Sequence, residues 1–142
     1  MILSKSCEYA IRAVVYLGHK SNAGGRAGIP EVAEAIDSPM HFTGKILQEL
    51  ARKKVISSVK GPNGGFFLED SSAVFLVDIV KAVDGMGVFT QCVMGLKSCS
   101  DVKPCPLHEQ IKPVRQQLHQ EFSKKSVKDM VEEYERRTYF LK

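Results

Sequence analysis

Residues 46–70, ILQELARKKVISSVKGPNGGFFLED, change period halfway along. Ile46, Leu47 and Leu50 recur at helical spacing, whereas Val55–Lys60 and Phe66–Leu68 are short β-prone runs. Between the runs, GPNGG supplies the turn residues of a hairpin with a five-residue loop. A helix running directly into a hairpin is therefore the expectation for the middle of the chain.

Upstream, Cys7, Ala10, Ile11, Val14, Val15 and Leu17 place an apolar face on a helix over residues 4–19. NAGGRAGIP (22–30) ends that helix with three glycines and a proline. A short helix follows from Pro30, a favoured first helical position, through Val32, Ala33 and Ile36. Asp37 or Ser38 can cap the next helix, which has Pro39 in its first turn. It runs to about Lys53, with Phe42, Ile46, Leu47 and Leu50 expected to face inward. Downstream, a helix is expected over Val74–Val83, and residues 84–105 read as a loop. A long helix then begins near Pro106 with a stripe of Ile111, Val114, Leu118 and Phe122. A last helix starts around Ser126, where Ser126 and Asp129 have capping-box spacing, and continues toward Arg136. The order helix, helix, helix, hairpin is that of a winged helix-turn-helix. The expected fold class is thus mostly α with a small β-hairpin. Its expected units are a winged head over 1–83, a cysteine-rich loop over 84–105, and a long helix plus C-terminal helix over 106–142.

Composition bounds this reading. The chain has 142 residues, 44% hydrophobic and 25% charged, as expected of one globular domain with an appended element. The N-terminus lacks the sequence of a signal peptide, and no apolar run approaches the ~18 residues of a membrane span. A cytoplasmic protein without membrane contact is expected. The net charge of +4 is too small to imply a polyanionic partner, but its placement is informative. From His41 to Gly64 there are five basic residues (Lys45, Arg52, Lys53, Lys54, Lys60) against a single acid, Glu49. Basic runs are usually solvated faces, so the helix order and the hairpin carry the DNA-binding reading. A recognition helix meets base edges with its N-terminal residues. Those are Ser38, Met40, His41, Thr43, Gly44 and Lys45, with Arg52, Lys60 and Asn63 placed for backbone or wing contacts.

The other chemistry lies in Cys92, Cys99, Cys105 and His108, gathered within seventeen positions. Thiols in a reducing compartment seldom form structural disulfides, and thiolates are soft ligands for zinc and iron–sulfur clusters. No tight Cys-x2-Cys pair is present, so the wider spacing favours a cluster over structural zinc, with redox thiols or core cysteines as further alternatives. Rieske centres show that histidine can ligate one iron of a cluster. A lone histidine is more often a surface or capping residue, so His108 draws its interest from Cys105. Cys7 lies on the apolar register of the first helix and reads as a small buried residue. Glu8, beside it, has the ordinary reading of a solvated acid near a helix N-terminus.

With LSKSCEYAIRAV (3–14), ILQELARKKVISSVKGPNGGFFL (46–68), LVDIVKAVDG (76–85) and the spaced cysteines, the chain resembles the IscR/NsrR-type winged-helix regulators of the Rrf family. The resemblance implies a homodimer paired through the long helix near residues 106–122, making that element a dimerisation helix. It implies two heads on a palindromic operator in double-stranded DNA, and an iron–sulfur cluster ligated by Cys92, Cys99 and Cys105. IscR-like members complete the set with a histidine matching His108 and hold a 2Fe–2S cluster. NsrR-like members use an acid matching Glu8 from the partner subunit and hold a 4Fe–4S cluster that responds to nitric oxide. The implied function is a transcriptional repressor whose operator affinity follows cluster supply, redox state or nitric oxide. A winged-helix regulator with structural zinc or redox thiols is the alternative. A small iron–sulfur electron carrier would have no use for a wing. No nucleophile–base pair suggests an enzyme.

Overall fold

The computed structural model describes residues 2–137 and 140–142. Helix α1 spans Lys5–Asn22, and the Ser4 hydroxyl caps it by accepting the Cys7 amide at 3.1 Å. Its face of Ala10, Val14 and Leu17 is fully buried. Helix α2, Ile29–Ile36, ends where Asp37 turns left-handed (φ 53°), and α3, Met40–Arg52, follows across the turn. Val32 and Ile36 of α2 join Leu47 and Leu50 of α3 against α1 to form the core of the head.

The inward stripe of α3 differs from the expected one at its first position. Phe42 is 45% exposed, and Thr43 takes its place at 1% exposure. Thr43, Ile46, Leu47 and Leu50 follow the i, i+3, i+4, i+7 pattern, which turns Phe42 away from the core. A hydroxyl is tolerated there because it donates to the Pro39 carbonyl at 2.9 Å and also bonds the Ser38 hydroxyl.

The hairpin forms as β1 (Ser57–Val59) antiparallel to β2 (Gly65–Phe67), pairing Ser57 with Phe67 and Val59 with Gly65. Its root is stitched to the segment before α2. Ala27 and Phe66 exchange amide-to-carbonyl bonds of 3.0 and 2.8 Å. One glycine closes the wing turn and a second permits this close approach. A Cβ on Gly64 would lie 2.1 Å from the Val59 carbonyl oxygen, and one on Gly65 (φ 145°) 2.9 Å from that of Ala27.

Beyond the wing come α4 (Leu76–Val83), α5 (Gly87–Thr90), α6 (His108–Lys124) and α7 (Val127–Arg137). The single turn α5 falls inside the segment expected to be a loop, because four residues are too few to show a period. Its Phe89 joins Cys7 and Val80 in a second small core, which Leu118 and Phe122 of α6 cover. Of the expected α6 stripe, Leu118 and Phe122 are partly buried against this core, whereas Val114 is 61% exposed.

Packing divides residues 106–142 differently from chain order, because α7 returns to the head. Val127 and Val131 are fully buried in the main core, close over Gly18 of α1. The α7 start has the expected box: the Ser126 amide donates to Asp129 at 3.1 Å and the Asp129 amide to Ser126 Oγ at 3.0 Å. Among the described residues, no helix is long and apolar enough to cross a membrane.

Two outcomes follow for the fold. Gly64→Ala is expected to unpair β1 from β2 while preserving helix content, read as lost amide-exchange protection at Val59 and Phe67 with unchanged far-ultraviolet circular dichroism. The Ser126 amide, then its hydroxyl, holds the Asp129 carboxyl below its ordinary range. The ionised form is therefore favoured in the fold, and its stabilisation is present above the ordinary carboxylate range and lost as pH falls. Asp129→Asn is expected to flatten the acid limb of a melting-temperature profile.

Candidate metal centre and nucleic-acid interface

The cysteine spacing is wide in sequence but becomes short in space through consecutive tight turns. Gly95, left-handed at φ 74°, donates its amide to the Cys92 carbonyl at 2.9 Å. Ser100 and Lys103 close the next turn, and the His108 amide reaches the Cys105 carbonyl at 3.1 Å. The three Sγ atoms of Cys92, Cys99 and Cys105 consequently lie within 4.8 Å of one another. They are free thiols. His108, the first residue of α6, is buried and joins them.

Two contacts within this group are the shortest. Cys92 Sγ is 3.6 Å from Cys105 Sγ, and Cys99 Sγ is 3.3 Å from His108 Nδ1. The other ring nitrogen of His108 lies 2.8 Å from the Asp101 carboxylate, which Lys112 grips at 2.7 and 2.8 Å. With Nε2–H donating to Asp101, Nδ1 presents its lone pair toward the thiols, the tautomer a ligating imidazole needs. Asp101 was missed by sequence reasoning. Its signal was available: it is the sole acid between Cys99 and His108, and His108 and Lys112 stand one helical turn apart.

The surroundings bias the thiols. Amides of Leu96 and Met94 pull the Cys92 thiol down to about 7 against the opposing effect of burial. Cys99 is raised, since burial and its neighbouring thiols outweigh the bond from the Cys105 backbone. The Asp101 carboxyl is held low, first by Lys112 and then by His108. A cavity of about 360 Å³ opens beside Cys92, Cys99 and His108, with Lys112 and Arg115 in its wall. Those cations suit a site that gathers anionic sulfur. Glu8 stands apart from this group, on the first turn of α1 in an ion pair with Lys5 at 3.3 Å. Cys7 is buried, and burial first, then Asp84 and Glu8, push its thiol up to about 12. Such a thiol is inert packing.

The second site is the outer face of α3 and the wing. Met40, His41, Lys45 and Arg52 are exposed along α3, and Lys60 and Asn63 are exposed on the hairpin. Two expected members are buried. Thr43 is spent on the Ser38 and Pro39 bonds, and Gly44 is buried against Ile29, so neither presents a side chain to a groove. Ser38 is half-buried and bonded to Thr43. Gln48 and Phe42 are exposed members of the same face that the sequence reading left out. A groove of about 660 Å³ runs between α3 and the wing, lined by Gln48, Arg52, Ser58 and Lys60. Arg26 steadies the wing tip through the Asn63 carbonyl at 3.3 Å.

A family profile for Rrf2, described as an iron-dependent transcriptional regulator, matches residues 3–133. An HTH-type transcriptional regulator of Aquifex aeolicus is 28% identical over 134 residues, covering 92% of each chain. The HTH-type transcriptional regulator IscR of Escherichia coli is 27% identical over 76% of this chain and 66% of its own length. Among solved structures, the global cysteine regulator CymR of B. subtilis superposes with a TM-score of 0.76 at 18% identity, covering 92% of this chain and 95% of that one. IscR of T. potens superposes with a TM-score of 0.71 at 17% identity, covering 92% and 86%. At those identities the superpositions speak to the fold, which is that of winged-helix regulators.

Asp101→Ala is expected to weaken metal retention by roughly 10- to 100-fold, the usual effect of losing a residue that orients a ligating histidine. A chelator-competition titration under anaerobic conditions measures it.

Proposed function

The chain belongs to the Rrf2 family of transcriptional regulators, and on that premise we propose that it is a homodimeric repressor whose operator affinity is set by an iron–sulfur cluster. Regulators of this family bind DNA and are not enzymes. The observation that carries the finer reading is the convergence of three thiols with the His108 imidazole, whose Nδ1 lies 3.3 Å from Cys99 Sγ. A two-iron cluster takes two protein donors at each iron, and histidine is accepted at such a centre. Cys92, Cys99, Cys105 and His108 would hold a 2Fe–2S cluster, with Asp101 orienting the imidazole. The alternative fourth ligand, the partner subunit's Glu8 with a 4Fe–4S cluster, has less support, because Nδ1 of His108 already stands beside Cys99. When bound, the cluster supplies a centre that oxidation, nitric oxide or iron shortage can alter.

The protein's own residues give that centre a route to DNA. His108 opens α6, so the order of the cysteine loop fixes where that helix starts. Phe89 of α5 meets Phe122 of α6 edge-on at 5.5 Å and shares a core with Cys7 of α1 and Val80 of α4. A shift of the loop is thereby felt by the helices that carry α3. In the reading proposed here, α6 also pairs with a second copy, which would cover the exposed Val114. Two heads would then face a palindromic operator, offering Ser38, Met40, His41, Lys45, Arg52, Lys60 and Asn63. Cytoplasmic operation is part of the proposal.

A second reading has a specific observation behind it. The 3.6 Å between Cys92 and Cys105 also matches the edge of a tetrahedron around one zinc, roughly 3.8 Å for Zn–S bonds of about 2.3 Å. Iron, sulfide and zinc content of anaerobically purified protein separates the two. Holo protein is expected to carry iron and sulfide, and operator affinity is expected to differ between holo and apo forms by about 5- to 150-fold. Equal affinities would remove the sensing claim. Cys92→Ala, Cys99→Ala and Cys105→Ala should each abolish visible absorbance.

A further inference from the structure

The first turn of α3 presents an apolar tip. Met40 is 55% exposed and Phe42 45%, and the His41 ring lies 4.6 Å from that of Phe42, tilted by 39°. The inward positions of this helix are already filled by Thr43, Ile46, Leu47 and Leu50, so Phe42 has no place in the core. Adjacent large apolar side chains held out in water point to a partner that covers them. The occupant is indicated by what adjoins the tip. Lys45 stands one turn further along the same helix, and the Arg52–Lys60 groove continues the surface, so the patch belongs to a face whose charge suits DNA.

We propose that Phe42, braced by His41 and flanked by Met40, reads the 5-methyl group of a thymine in the major groove and so fixes a T·A pair at one place in each half-site. This rests on the DNA-binding reading and adds the base that is read. In the major groove the thymine methyl is the one apolar group the four base pairs offer. A phenyl ring has no donor or acceptor, so against the N7 and O6 of guanine or the amino group of cytosine it would strip water without replacing the bond. Attraction to the methyl and rejection of G·C therefore act in the same direction. The operator chemistry expected at this position differs from that read by a polar side chain.

The test uses the full-length protein and a duplex selected from random sequence for tight binding. Each thymidine of the half-site is replaced in turn by deoxyuridine, which removes the methyl and leaves every hydrogen-bonding group. Wild type is expected to lose about fourfold in affinity at one thymidine per half-site, the effect of withdrawing one methyl-sized group from apolar contact. Phe42→Ala should bind thymidine and deoxyuridine duplexes equally, while Phe42→Leu should retain the preference. Lys45→Ala should weaken all duplexes by a common factor and keep the preference intact. Melting temperatures confirm that these exposed substitutions leave the head folded. Wild type indifferent to the methyl at every position, or Phe42→Ala retaining the preference, overturns the inference while DNA binding stands. Failure to select any duplex overturns the DNA-binding reading and this inference with it.

Discussion

The head depends on α1 being surrounded. Helices α2, α3, α4 and α7 all pack on this one rod, and its inward positions include Ala10, Ala13, Val14, Leu17 and Gly18. Small residues at three of these places let neighbouring backbones come close, and Gly18 is where α7 comes closest. The bulk that fills the remaining space is supplied from outside by Ile36, Leu47, Leu50 and Ile79. Interiors packed in this way transmit displacement rather than absorb it. Helix α3 therefore has little freedom of its own, and its outer face is presented at an attitude determined by α1.

The second core extends that constraint toward the cysteine group. Cys7, on the first turns of α1, is in the same cluster as Phe89, which lies three residues before Cys92. The hydroxyl and amide of Ser4 additionally bind the Asp84 carboxylate, tying the start of α1 to the end of α4. Between the cysteines and α3 lie only packed elements. Coupling between two sites requires an element with two arrangements that both sites bias. The loop over residues 92–107 has no buried side chain, and it carries exposed Val93, Met94, Leu96 and Val102.

Much of the architecture was legible in the sequence because it rests on local rules. The Ser126–Asp129 box, the glycine-bearing wing and the 3.6-residue stripes each need only a few neighbouring residues to be recognised. What escaped was set by competition or by distance. Phe42 was assigned to the core because it is apolar, yet Thr43 won the inward position by satisfying its hydroxyl locally. Gly44 looked like a point of close approach to DNA and is instead a close approach to Ile29. Helix α5 is too short to have a period. The cysteines and His108 were found by chemistry, but their convergence depends on turns at Gly95 and Ser100–Lys103 that spacing does not encode. Asp101 was overlooked although its place between Cys99 and His108 marked it, and its bonds to His108 and Lys112 form where the loop folds back over α6.

The return of α7 has a mechanical meaning for α6. This helix leaves the head at the cysteine loop, and the chain re-enters the head immediately after Lys124 through the Leu76–Lys125 and Val127–Val74 backbone bonds. It is thus a bar pinned at both ends to the same body rather than an arm extended from one hinge. A bar of that kind cannot swing away from its head without unpinning one end. Its available motions are a roll about its own axis or a slide of the end nearer His108. In a pair of such bars laid together, a small roll in each would alter the separation of the two heads without unfolding either.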